Sequence, residues 1–292
     1  MTESPTTLRL LWPQWQGATA ANVVELFPEV PLPDARLAYA MGSRLLGHML
    51  PPHDGPVAEV PVAPDDSGLV LERGIESRAV LLEQLRAALA LVEQHDCDRV
   101  LTLGGECSVS LAPFSWLARR HGEDLAVVWL DSHPDVGTPD SEYHGHHAMA
   151  VSLLTGHGDQ DFLAALPGTV DPSRVALAGL HSWTEDDIGH VADWGLTSFS
   201  PQDLRESSEP LLDWLASTGC SKVALHLDVD VVDANQVVLG LGAEPDGLSL
   251  EQARRVVDDV AGAAEMVGLT VAEYIPRQVI QMMGLLRGLP LA

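Results

Sequence analysis

The sequence predicts an α/β fold, a mostly parallel sheet with helices packed on it. Three observations predict it. Short apolar, β-branched runs alternate with longer segments of helical spacing. Several of those runs stop on Gly, Asp or Glu, as strands do when they feed a ligand crevice. The 292 residues are 46% hydrophobic and 20% charged, which is globular, with no heptad, repeat or low-complexity pattern.

In chain order, Thr7–Trp12 (TLRLLW) reads as the opening strand. Leu50–Gly68, rich in Pro, Asp and Gly, reads as a loop. Glu76–Gln94 places apolar residues at helical spacing and is the most secure helix. Arg99–Leu103 is a short buried strand ending at Gly104-Gly105, and Leu125–Leu130 is another, ending at Asp131. Val136–His146 reads as a second loop. Arg174–Leu180 and Lys222–Leu227 are further strands, the latter ending at Asp228, and Gly268–Glu273 is the last. Pro210–Thr218 is a helix opened by a proline. Ser249–Ala264 is a helix with Ser249 as N-cap ahead of Gln252. With no composition shift and no second core, residues 1–292 are expected to form a single domain.

Forty-two acids against 16 bases give a formal charge of −26. A nucleic-acid binder needs a basic footprint to displace counterions, so nucleic acid is not expected as a partner. An anionic membrane surface is disfavoured for the same reason, and no run of about 18 apolar residues is present to cross a bilayer. Three widely spaced cysteines, Cys97, Cys107 and Cys220, form no disulfide framework and suit a reducing compartment. The opening residues, Met1 to Trp15, lack the basic start of a secretory leader. The expectation is a cytoplasmic protein whose partner is a small molecule, with a homo-oligomer left open.

The informative feature is where the acids sit. Asp131-Ser132-His133-Pro134-Asp135 follows one strand, Asp228-Val229-Asp230 ends another, and Glu273 ends a third. Such residues converge at the carboxyl edge of a parallel sheet. Five or more acids and an imidazole in one crevice repel strongly unless cations neutralise them. Carboxylate plus imidazole donors suit Mn²⁺, Fe²⁺, Co²⁺ or Zn²⁺, and shared carboxylates suit a two-metal site. A lone D-x-D is more often a helix cap or a solvated turn, but two such motifs together with Glu273 and the His144–His147 cluster are not.

Here the chain resembles the ureohydrolase family, which includes arginase, agmatinase and related guanidine hydrolases. The family motifs G-G-D-H-S, D-A-H-x-D, H-G-x-P-V-S, D-V-D-x-x-D and V-E-x-x-P find counterparts, in order, in GGECS (104–108), DSHPD (131–135), HAMAVS (147–152), DVDVVD (228–233) and AEYIP (272–276). The resemblance implies a three-layer α/β/α fold of arginase type. It also implies hydrolysis of a C–N bond in a guanidino or amidino compound, with a hydroxide bridging two divalent metal ions as nucleophile. Mn²⁺ is the first expectation for those ions, with Zn²⁺, Fe²⁺, Co²⁺ or Ni²⁺ as alternatives. Carried over residue by residue, one ion takes Cys107, Asp131, Asp135 and Asp228, and the other takes His133, Asp131, Asp228 and Asp230. Glu273 would pair with the cationic guanidinium, and His147 would serve the leaving amine as acid or base.

Two departures bear on these expectations. Cys107 stands where the family has a metal-binding histidine, and a thiolate there would make Zn²⁺ or Fe²⁺ more plausible than usual. A cysteine at this position also resembles the hydroxy-arginine hydrolases of antibiotic biosynthesis. The turn Gly137-Thr138-Pro139 and the segment Tyr143-His144-Gly145-His146 lack the polar anchors with which arginases hold an α-amino acid end, so free L-arginine is not the expected substrate. His144 matches the family's H-G dipeptide, but His147 keeps the spacing to Val151-Ser152 and is preferred. His144 and His146 are read as loop or pocket-rim residues, and His157, His181 and His226 as structural. The competing chemistries are amide hydrolysis in the manner of metal-dependent deacetylases, favoured by the adjacent His146-His147, and a non-catalytic metal-binding homologue.

Overall fold

The computed structural model describes residues 5–26, 28 and 30–292, so the first four residues of the segment screened for a leader lie outside it. Among the described residues, ten strands are formed: β1 (Thr7–Trp12), β2 (Val57–Glu59), β3 (Leu71–Glu72), β4 (Ile75–Glu76), β5 (Arg99–Gly104), β6 (Leu125–Leu130), β7 (Val175–Ala178), β8 (Thr197–Phe199), β9 (Lys222–Asp228) and β10 (Glu265–Ala272). Eight of them make one sheet in the order β2-β1-β5-β10-β9-β6-β7-β8, and every pairing in it is parallel. β3 and β4 form a separate antiparallel hairpin.

The central strands are mostly apolar and buried because both faces are covered. All six residues of β6 are buried. On one face, Leu8, Val100, Val127 and Trp129 pack against the helices Arg78–His95 and Leu111–His121. On the other, Leu101, Val128, Leu225 and Leu269 pack against the helices Ala38–Met49, Glu209–Thr218 and Leu250–Ala263. The result is the expected three-layer α/β/α arrangement. Ser249 caps the last of those helices in a capping box with Gln252, as its position in the sequence suggested.

The topology matters most at one edge. β5, β10, β9 and β6 are consecutive in the sheet. They are also the strands that run into Gly105, Glu273, Asp228 and Asp131. Ala272 is level with Asp228 across β10 and β9, and Leu130 is level with Leu227 across β6 and β9. Segments distant in sequence are thereby delivered to one point.

The sequence reading missed β2, which falls inside the stretch taken as a loop. It is a three-residue edge strand with half-exposed or exposed side chains, too short to show a period. The last strand starts three residues earlier than expected and stops before Glu273, which leaves the sheet with φ +65°. Among the described residues, no helix is long and apolar enough to cross a membrane.

Candidate metal centre

Each acid at the sheet edge is fixed by its own backbone. Asp131, 1% exposed, accepts from its neighbour His133 N at 2.6 Å through Oδ1 and from Trp129 Nε1 at 3.0 Å through Oδ2. Asp228 Oδ1 accepts from Asp230 N at 2.7 Å, which turns the chain sharply out of β9. Asp230 in turn accepts from Ser132 Oγ at 2.7 Å and lies 3.1 Å from His133 Nδ1. Cys107 opens the turn after β5; its N–H donates to Glu273 Oε1 at 3.1 Å, and its Sγ is 3.0 Å from Asp228 Oδ2. Gly105 allows this crowding, since a Cβ there would stand 1.7 Å from the carbonyl oxygen of Gln14. Asp135 and Glu273 both adopt positive φ, a conformation that costs non-glycine residues energy and concentrates at functional sites.

The donors fall into groups whose atoms lie within 4.8 Å of one another: Cys107, Asp131, His226 and Asp228; Asp131, His133 and Asp230; and Cys107, His147 and Glu273. Asp131 belongs to the first two. Asp135 belongs to none of them, but it lines the same cavity and its buried Oδ2 has no hydrogen-bond partner. Seven of the eight residues singled out from the sequence therefore meet in these groups, and the eighth stands beside them.

The electrostatics fit a cationic guest. Burial, then the charge of Asp230, lifts the Asp131 carboxyl to about 6. Burial also lifts Asp135, with Asp131 next in effect, and Asp228, with Asp230 and Asp131 next. The Cys107 thiol is pushed well up by burial and then by Asp228. Without cations these groups hold protons to avoid one another; divalent ions would replace those protons. Thiol, imidazole and carboxylate donors are the set expected for such ions. Asp230 behaves differently: burial raises it, but the charge and hydrogen bond of His133 outweigh this and hold it below the usual range.

His147 sits between two partners. Its Nε2 is 2.7 Å from Tyr143 Oη and its Nδ1 is 3.1 Å from Glu273 Oε1. Burial alone would lower its basicity, yet Tyr143 and Glu273 more than compensate and hold it well above the ordinary imidazole range. His144 does not line the cavity, and His146 turns into the core against Phe162 with both ring nitrogens unpartnered, rather than standing at a pocket rim.

A cavity of about 320 Å³ opens onto this cluster. Asp135, Asp228, Asp230 and Glu273 line it, together with Glu244, Asp187, Tyr143 and Trp183. Among the described residues that line it, none is Lys or Arg. Sequence reasoning missed Tyr143, Glu244 and Trp183, which lie in irregular segments without a period. It also set His226 aside, although His226 is two residues before Asp228 and so shares its strand face.

The chain matches the arginase family over residues 49–283. By sequence it is 24% identical to the arginase of Entamoeba histolytica over 225 residues, covering 74% of this chain and 75% of that one. It is 28% identical to an arginase of Staphylococcus aureus over 139 residues, covering 46% of each. In structure it resembles the E. histolytica arginase in complex with L-ornithine, with a TM-score of 0.79 at 17% identity over 98% of this chain and 99% of that chain. It also resembles the proclavaminate amidino hydrolase of Streptomyces clavuligerus, with a TM-score of 0.63 at 18% identity over 98% and 89%. At those identities the structural likenesses speak for the fold; the family match over most of the length says more, and the chain belongs to the arginase family, as a metal-dependent amidinohydrolase.

Proposed function

We propose that this chain, as one arginase-like domain spanning residues 1–292, is a two-metal hydrolase that cleaves a C–N bond of a guanidino or amidino compound. The observation that carries this is the pair of donor groups sharing Asp131 at an acid-lined cavity. Cys107, Asp131, Asp135 and Asp228 would hold one ion, and His133, Asp131, Asp228 and Asp230 the other. Mn²⁺ is the first candidate, with Zn²⁺, Fe²⁺, Co²⁺ and Ni²⁺ as alternatives, of which a Cys107 thiolate favours Zn²⁺ or Fe²⁺. When bound, such ions supply Lewis-acid activation of water.

The chain's own residues do the rest. Glu273, in the cavity beside Cys107, pairs with the guanidinium or amidinium and sets its carbon over the cluster. His147, held cationic by Tyr143 and Glu273, is placed to give a proton to the departing amine. Among the described residues, six carboxylates and no Lys or Arg line the cavity, which suits a cationic substrate and gives a substrate carboxylate no Lys or Arg to pair with. That supports a substrate other than free L-arginine. The cysteine usage supports a cytoplasmic setting.

The test is a screen of guanidino and amidino compounds, L-arginine included, for urea or ammonia release with each of the five metals supplied. Release from a guanidine other than L-arginine is expected. Release of carboxylate from acylated amines, with no guanidine turned over, would favour the deacetylase-type chemistry instead.

A further inference from the structure

We propose that His226 Nε2 is a metal ligand in this chain, adding an imidazole to the ion held by Cys107, Asp131 and Asp228. The proposal rests on the two-metal reading above and concerns a residue that reading does not use.

The side chain is fully buried in β9, on the face it shares with Asp228. Its ring is fixed on two sides. The indole of Trp129 stacks on it at 3.7 Å and 5°, and Ser110 Oγ lies 2.8 Å from Nδ1. Nε2, the remaining nitrogen, has no hydrogen-bond partner and points at the acids, 3.9 Å from Asp131 Oδ2. An unpaired ring nitrogen in the core forfeits its hydration with nothing in return, so a purely structural histidine at this point is poorly served. A packing role alone would be better met by Phe or Leu.

The donors of Cys107, Asp131, His226 and Asp228 all lie within 4.8 Å of one another. Two donors on opposite sides of one ion at ordinary bond lengths of about 2.0–2.3 Å are about 4–4.6 Å apart, so small side-chain adjustments bring the four onto one ion. The contact between Nδ1 and Ser110 is the kind of outer partner that sets the tautomer of a ligating histidine: Nδ1–H donating to Ser110 Oγ leaves the Nε2 lone pair free for metal. A thiolate, an imidazole and two carboxylates favour Zn²⁺ over the purely hard cations. Asp228 and His226 thus work as an H-x-D pair on one strand, much as Asp131 and His133 do after β6.

The experiment titrates metal-free protein carrying ¹⁵N-labelled histidine with Zn²⁺. It follows the ring nitrogens by NMR and counts bound zinc. Two equivalents should bind, and two rings, His133 and His226, should show a coordinated nitrogen. His226→Phe, which keeps the stack on Trp129, should lose one of those signals and weaken one of the two equivalents by more than the roughly 10- to 100-fold that losing an outer partner costs. Ser110→Ala should retain both signals. Two bound equivalents with an unshifted His226 ring in the wild-type protein would overturn the proposal and leave the two-metal reading standing. Failure of the wild-type chain to bind zinc at all would remove both. Should His226→Phe not fold, the wild-type and Ser110→Ala spectra still decide.

Discussion

Cys107 Sγ lies 3.0 Å from Asp228 Oδ2, across the strand that separates β5 from β9. Both side chains are buried, so the pair cannot carry two negative charges unaided. Burial and then Asp228 hold the thiol well above its usual range, and burial holds Asp228 up as well. Metal uptake at this point must therefore expel protons. Calorimetric titration of metal-free protein with Zn²⁺ at pH 7, in two buffers of different ionisation enthalpy, measures that release. Wild-type protein is expected to release about one proton more than Cys107→Ser, because a serine hydroxyl keeps its proton. Equal release from the two would mean that Cys107 does not ligate.

The same crowding fixes how the metal-free chain responds to pH. Asp131 titrates near 6 when folded, against a usual value of about 3.9. Between those values the folded chain holds a proton that the unfolded chain has released, so stability falls as pH rises, on the order of 3 kcal/mol from this group. His133 and His147, both held well above the imidazole range, act in the same direction. Their contribution is complete below the unfolded imidazole value and is lost as pH climbs through the folded one. Asp230, held low by His133 against the effect of burial, loses its contribution only in stronger acid. In chelator the protein should melt several degrees lower at pH 8 than at pH 5, and excess Mn²⁺ or Zn²⁺ should abolish the difference. Equal melting at the two pH values without metal would show that the acids are not crowded as described.

Much of this centre was legible because strand ends are marked in the sequence. Leu125–Leu130 is apolar on both faces and Lys222–Leu227 is buried on both beyond Lys222, so the acids that follow them can only stand at the sheet edge. Order in the sheet was not legible. Nothing local says that β10, the last strand, inserts between β5 and β9, and that insertion carries Glu273 to Cys107. Tyr143 was hidden for a related reason: its contact with His147 is made within an irregular segment, where no periodicity orients side chains. His226 reads as structural from the sequence, although it stands two residues before Asp228 and so on the same strand face.

Asp228→Asn separates the charge of this residue from its shape. The amide oxygen can still accept from Asp230 N, so the turn after β9 is kept. The charge that opposes Asp131, Asp230 and Cys107 is gone. Metal-free Asp228→Asn should accordingly melt at or above the wild-type temperature at pH 8, while amidinohydrolase activity falls to background and bound metal drops below two equivalents. An active variant with full metal content would remove Asp228 from the ligand set.

Tyr143→Phe tests the link between the histidine and its hydroxyl partner. His147→Ala should lower kcat by about 10²–10⁴-fold, the range for a lost general acid. Tyr143→Phe removes one hydrogen bond at 2.7 Å from Nε2 and leaves the Glu273 contact at 3.1 Å in place. About 1 kcal/mol is then at stake, or about fivefold in kcat, with KM little changed. The informative readout is the pH profile. Burial drives His147 towards its neutral form and Tyr143 is the largest influence opposing that, with Glu273 next. Without the hydroxyl the ring should give up its proton at lower pH, so the alkaline limb of kcat against pH, where the acid form is lost, should move down. An alkaline limb unmoved in Tyr143→Phe and unchanged in His147→Ala would mean that another group delivers the proton to the leaving amine.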